Sequence, residues 1–277
     1  MKKIIKKLLN KLSINLTYFL FQDCLMNISS YLFHSKIAIK VNSSIVRNSK
    51  LKNSFKKPEN LTIISYHNYK KKPLFERNMD FLGIEYVSIK AETPYFFSKK
   101  TELLYSMIKN KMIKTKYVLI CDSDDVIFTK DPKGISESFE KFNCDMLFSS
   151  TKWDFVRKTT YDKGVEGYSK GYPQSLVMKD HKNWVDNVIG RKKYINCGIY
   201  MFKTDSVLDI LEECLKYVSY NDPCNFEIPY GNSDQTIYRW VEPKFYPRIK
   251  VDFENKLFTH NMPEPNEIKI GFIPLKY

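Results

Sequence analysis

The run Tyr117-Val118-Leu119-Ile120-Cys121 is apolar throughout and is followed at once by Asp122-Ser123-Asp124-Asp125. Five apolar residues without alternation predict a strand buried on both faces, as in a parallel sheet covered by helices. Three carboxylates directly after it cannot be buried unpaired, because the desolvation of an uncompensated charge costs too much. The fold must bring them out at a strand end, where they either stay solvated as an acidic turn or gather a cation. Hard oxygen ligands grouped in this way suit Mg2+ or Mn2+, whose open positions can take a diphosphate.

The flanking sequence places this strand inside an α/β sheet. Leu61–Tyr66 predicts a first strand, followed by a helix at Leu74–Phe81, a strand at Ile84–Ser88 and a helix at Lys99–Met112. Two successive βαβ units make the three strands parallel, and ligands in such sheets bind outside the carboxyl ends of the strands. That rule puts Ser65 and Tyr66, at the end of the first strand, beside the carboxylate cluster. Further on, strands are expected at Asp145–Ser149 and Tyr194–Phe202, and helices at Asp205–Val218 and Gln235–Val241. The stretch 151–192, with Gly164, Gly167, Gly171 and Gly190, reads as a largely irregular, substrate-selective loop region. No internal repeat is evident.

Composition narrows the class of function. The chain has 277 residues, of which 43% are hydrophobic and 15% aromatic, so it can bury a sizeable core and is not disordered throughout. Of a formal net charge of +14, residues 1–60 supply +10, with 12 Lys and Arg against Asp23 and Glu59. Charge segregated in this way describes a basic arm on a near-neutral domain, and it argues against a body wrapped on nucleic acid. Within the arm, Ile4, Ile5, Leu8, Leu9 and Leu12 share one helical face and Lys2, Lys3, Lys6, Lys7 and Lys11 the other. Such a helix could lie on an anionic membrane or pack as a solvated helix on the domain. Polar residues interrupt 14–33, so neither a membrane span nor a signal peptide is expected. The six cysteines form no CxxC pair and no metal-ligand spacing and are read as reduced thiols. Together these features point to a cytoplasmic protein, which the helix at 1–12 could hold at the inner membrane face.

The order of motifs resembles the glycosyltransferase domain of the procollagen lysyl hydroxylases and its microbial relatives. That family's metal strand, apolar-Asp-Ser-Tyr-Asp-Val, is similar to Asp122-Ser123-Asp124-Asp125-Val126; its Phe-Ser-Ala-Glu before a Trp is similar to Phe148-Ser149-Ser150-Thr151 with Trp153. Asn196-Cys197-Gly198 resembles its Asn-Ser-Gly strand and Ser233-Asp234-Gln235 its Asp-Asp-Gln; Asp252 with Phe258 stands where it carries a later Asp and Phe. The likeness spans about residues 61–260, after an extension and linker at 1–60. It implies a GT-A (Rossmann-like) domain over 61–277, a mixed, mostly parallel α/β sheet flanked by helices, with a basic helical N-terminal extension.

By that resemblance the activity is transfer of a hexose from a nucleoside diphosphate sugar, uridine-based, to a glycan or protein hydroxyl, with Mn2+ or Mg2+. It implies Asp122 and Asp125 as metal ligands, with His260, from His260-Asn261, as a third. Strand alternation alone would instead pair Asp122 with Asp124 on one face. Asp124 replaces an aromatic that could stack on the donor base and is placed in the donor site; Lys100, or Lys99, is the candidate for a diphosphate contact. Asn196 and Gly198 line the sugar pocket, with Asn196 and Asp234 as the candidate catalytic residues and Gln235 beside them. Asp234 could equally cap the helix that follows. The Glu of Phe-Ser-Ala-Glu, the first acid of Asp-Asp-Gln and the Gly of the histidine motif are missing. Two other readings compete: a haloacid-dehalogenase-like phosphatase, since Asp122-Ser123-Asp124-Asp125-Val126 also fits Asp-x-Asp-x-Val with Ser149 after a later strand, and a basic nucleic-acid-binding module. The phosphatase reading lacks an acidic pair after a further apolar strand, and the charge segregation opposes the second.

Overall fold

The computed structural model describes residues 51–92, 95–151, 181–191, 193–218 and 233–259. The basic helix at 1–12, the loop at 152–180, Trp153 and His260 lie outside the described residues.

Six strands form one sheet: β1 (Leu61–His67), β2 (Val87–Lys90), β3 (Tyr117–Cys121), β4 (Met146–Thr151), β5 (Tyr194–Lys203) and β6 (Ile249–Val251), in the order β2-β1-β3-β5-β4-β6. The pairs β1–β2, β1–β3 and β4–β6 are parallel, while β5 runs antiparallel to both β3 and β4. Five strands therefore share one direction and β5 alone opposes them, which is the mixed, mostly parallel Rossmann-like sheet expected. The apolar run 117–121 is fully buried, as its lack of alternation requires. Ile64, Val118, Ile120, Phe148, Tyr200 and Phe202 belong to one packed face. By alternation Ile63, Leu119, Leu147 and Met201, all buried, occupy the other.

Helix α1 (Leu74–Leu82) joins β1 to β2 and stops at Gly83, which takes φ 78 and returns its N–H to Met79 O. A side chain at Gly83 would place Cβ 2.9 Å from the Asn53 backbone, so both the dihedral and the space require glycine. Helix α2 (Lys99–Lys109) returns the chain across β1 to β3. The sheet order therefore reverses between β1 and β3, and the crevice outside their carboxyl ends is the topological switch point at which such sheets hold ligands. Helix α3 (Ile135–Glu140) precedes β4, α4 (Leu208–Leu215) follows β5, and α5 (Asp234–Phe245) leads to β6. Helices α2, α4 and α5 pack on one another, and α5 also packs on β5.

Several expected bounds shift. The second strand begins at Val87 rather than Ile84, because Ile84 N–H still closes the end of α1 on Met79 O. The last helix runs on to Phe245 past Pro243, which has no N–H to give to the helix ladder. Helix α3, a π-helical turn at Trp184–Ile189 and the three-residue β6 were not anticipated.

Candidate active site

Asp122 leaves β3 with its N–H donated to Gly198 O at 2.7 Å, and Ser123–Asp125 then form a turn. The alternation of an extended strand therefore stops at Asp122. Helix α1 clamps this turn at both ends. Phe75 N–H donates to Ser123 O at 3.1 Å, and the buried Asn78 accepts Phe128 N–H on Oδ1 at 2.8 Å.

The three carboxylates have different surroundings. Asp122 reaches inward to Lys100 Nζ at 3.3 Å while 36% of its side chain stays open. Desolvation pushes this carboxyl up to about 7, against the pull of Lys100, and Asp125 and Asp234 add to the rise. Asp125 is exposed in the turn, and its carboxyl is raised by desolvation and then by Asp124. Asp124 turns away to accept the Tyr69 hydroxyl on Oδ2 at 2.5 Å.

Tyr69 belongs to the loop beyond β1 and stacks on His67, with centroids 5.8 Å apart and planes at 20°. His67 Nδ1 accepts Tyr69 N–H at 3.1 Å, which leaves the ring proton on Nε2 to meet Glu76 Oε1 at 2.9 Å. His67 and Glu76 are both buried, so β1, α1 and the carboxylate turn are tied through a chain of polar contacts. None of Tyr69, His67, Glu76 and Asn78 carries a sequence signal, since each is defined by a partner on another element.

Opposite the carboxylates, β5 bulges. Phe148 pairs with Tyr200 but the next residue, Ser149, pairs with Asn196, so Cys197, Gly198 and Ile199 arch out of the ladder with β4. Asn196 Oδ1 accepts Gly198 N–H at 2.9 Å and the Ser149 hydroxyl at 3.1 Å, leaving its amide NH2 as the remaining hydrogen-bonding group. Gln235 Oε1 accepts Cys197 N–H at 3.3 Å, so Gln235 supports the bulge. A Cβ on Gly198 would lie 2.9 Å from Asn196 Oδ1 and 3.4 Å from Asp122 Oδ2, so any side chain here displaces Asn196. The Ser149 hydroxyl, needed on a phosphate in the phosphatase reading, is committed to Asn196.

Lys100, buried in the first turn of α2, connects the two sides. Its ammonium lies 2.9 Å from Asp234 Oδ2, 3.3 Å from Asp122 Oδ1 and 3.4 Å from Cys197 O. Burial alone would lower its pKa, but Asp122, Asp234 and Tyr95 together hold it well above the ordinary lysine value. Asp234 is the first residue of α5 and accepts Gln235 N–H on Oδ1 at 2.8 Å; the cap position expected for it falls on Ser233.

Two expected donor-site residues sit deeper than the sequence implied. Ser65 is fully buried, its hydroxyl without a hydrogen-bond partner, and presents nothing to the crevice. Tyr66 is buried against Tyr95 with ring centroids 5.4 Å apart, and burial raises its hydroxyl to about 12. Asp252 is fully buried and accepts the N–H groups of Lys256, Leu257 and Phe258 at 2.7–2.9 Å, so it organises a turn.

Among the described residues no three or more His, Cys, Asp or Glu side chains converge on one point. A divalent ion at Asp122 and Asp125 would have two hard carboxylates from these residues and would complete its shell with diphosphate oxygens and water, a donor set that fits Mg2+ or Mn2+. Among the described residues no helix is long and apolar enough to cross a membrane.

No family model and no curated protein matches the chain. Among solved structures it is similar to a glycosyltransferase involved in glycosylation of the major capsid of PBCV-1, at 15% identity over 69% of this chain and 80% of that one, with a TM-score of 0.38. It is also similar to the bifunctional glycosyltransferase WbbM in its apo form, at 13% identity over 72% of this chain and 40% of that one, with a TM-score of 0.34. Neither is described as a lysyl hydroxylase. At such distances the functional reading rests on the site's own geometry.

Proposed function

We propose that the chain is a metal-dependent glycosyltransferase that takes a nucleoside diphosphate sugar, uridine-based, and delivers a hexose to a glycan or protein hydroxyl. The observation that best supports this reading is Asp122 leaving β3 at the β1/β3 switch point with its N–H on Gly198 O of the β5 bulge, and Asp125 in the turn that follows. The motif order described above supports it independently.

Asp122 and Asp125 would hold Mn2+ or Mg2+, which supplies neutralisation of the charge that develops on the departing diphosphate. The peptide at Gly198 lets the donor sugar approach the backbone, and the Asn196 amide is positioned to donate to it. Asp234, expected as a catalytic carboxylate, is buried on Lys100 and would act on the site through that lysine, without direct contact to a sugar or acceptor hydroxyl. Residues 1–12 would bring the enzyme to an anionic membrane face.

The test is release of nucleoside diphosphate from a panel of nucleotide sugars with Mn2+, repeated with EDTA and with Asp125→Ala. Metal-dependent release from one donor, lost in the variant, is expected; metal-independent release or none from any donor would overturn the reading.

A further inference from the structure

Lys100 is an unusual residue to find where it is. A cation in the first turn of a helix opposes the helix dipole, and a buried ammonium loses its hydration. Three oxygens compensate: the ammonium donates to Asp122 Oδ1 and Cys197 O, and Asp234 Oδ2 lies 2.9 Å away as an ion pair outside hydrogen-bond geometry. The Tyr200 ring lies 5.6 Å from the same nitrogen. The two carboxylates differ in one respect: the Asp234 side chain is 5% exposed and sealed in, whereas that of Asp122 is 36% exposed and open to the crevice. One buried cation is thus shared between a closed anion and an open one.

We propose that Lys100 is a built-in counter-cation for Asp122, which keeps the site's affinity for a free divalent ion low until a diphosphate arrives; this rests on the metal-dependent reading above. Without an ion the ammonium partly neutralises Asp122 through Oδ1, and an incoming ion must share that carboxylate's charge with it. Asp234 limits this effect by holding the ammonium at the shorter distance. A diphosphate adds negative charge of its own and restores the attraction, so metal and donor bind cooperatively and neither occupies the site well alone. Lys100 acts here through Asp122 and is a positioning residue, with no direct contact to the ion.

Calorimetric titration of the full-length chain with MnCl2, with and without a nucleoside diphosphate, tests this. The informative variant is Lys100→Met with Asp234→Asn, because it removes one positive and one negative charge together and leaves the local net charge unchanged. Replacing both members of a buried pair by neutral groups is commonly tolerated by the fold. Mn2+ alone is expected to bind this variant about tenfold more tightly than the unaltered protein, about 1.4 kcal/mol, with the enhancement by diphosphate reduced accordingly. The single, nearly isosteric Asp234→Asn is expected to act oppositely, leaving Lys100 wholly to Asp122 and weakening Mn2+ binding by about threefold or more. Unchanged or weaker Mn2+ binding in the double variant would overturn the proposal while leaving the transferase reading intact. Failure of both proteins to bind Mn2+, with or without diphosphate, would overturn both.

Discussion

The hydroxyl of Tyr69 donates to Oδ2 of Asp124 at 2.5 Å, joining the loop beyond β1 to the turn beyond β3. Asp124 is therefore engaged away from Asp122, and Asp125 is the neighbour whose charge acts on Asp122. Asp125→Asn is expected to weaken Mn2+ binding more than tenfold, and Asp124→Asn less than threefold, by calorimetry with a nucleoside diphosphate present. The reverse order would show that strand alternation, and not the turn, sets the ligand pair.

Protons and metal compete for Asp122. With its carboxyl pushed up to about 7 by burial, Mn2+ affinity should fall about tenfold per pH unit below that value and level off above it. The effect on stability has the opposite sense. A carboxyl raised in the folded state keeps a proton that the unfolded chain has lost, so its contribution is greatest at low pH and disappears as pH rises from about 4 to about 7. Melting curves of metal-free protein across this range should show that loss, and Asp122→Asn should remove it.

The buried pair His67–Glu76 supports Tyr69 from below. Glu76→Ala leaves the His67 Nε2 proton without its acceptor and is expected to cost about 1–3 kcal/mol in denaturant unfolding. Glu76→Gln, which keeps an accepting oxygen, should recover most of that loss. Equal destabilisation by both would mean that ionisation of Glu76, not hydrogen bonding, is what the fold uses.

Gly198→Ala would drive a methyl group to within 2.9 Å of Asn196 Oδ1, an atom already held by two donors. Asn196 must then shift, and donor binding is expected to fall more than tenfold with little change in melting temperature. Unchanged donor affinity would remove Asn196 and Gly198 from the sugar pocket.

The parts of this site that were legible in the sequence are those with a local signature. The strand Tyr117–Cys121 announces itself by five apolar residues, and Asp122 by the carboxylates at its end, so a place at the carboxyl end of a parallel strand followed from sequence order alone, while the β2-β1-β3 order did not. The contacts of Lys100 were not legible, because its partners Asp122, Cys197 and Asp234 lie on three separate elements and meet only when the sheet closes. The bulge at 197–199 has no marker beyond Gly198, and Ser65, expected in the crevice, turns inward because the pleat of β1 points it there. Helix α3 and β6 were missed because each is too short for periodicity to register.

Asp122 and Asp125 are expected to bind a divalent ion together with a nucleoside diphosphate, and thermal stability reports this directly, since a ligand of the folded state alone raises the melting temperature. Melting of the unaltered chain should rise with Mn2+ plus one nucleoside diphosphate and with neither alone to the same extent, and the rise should vanish in Asp122→Ala and Asp125→Ala. No shift with any nucleotide, or an equal shift in both variants, would contradict the account.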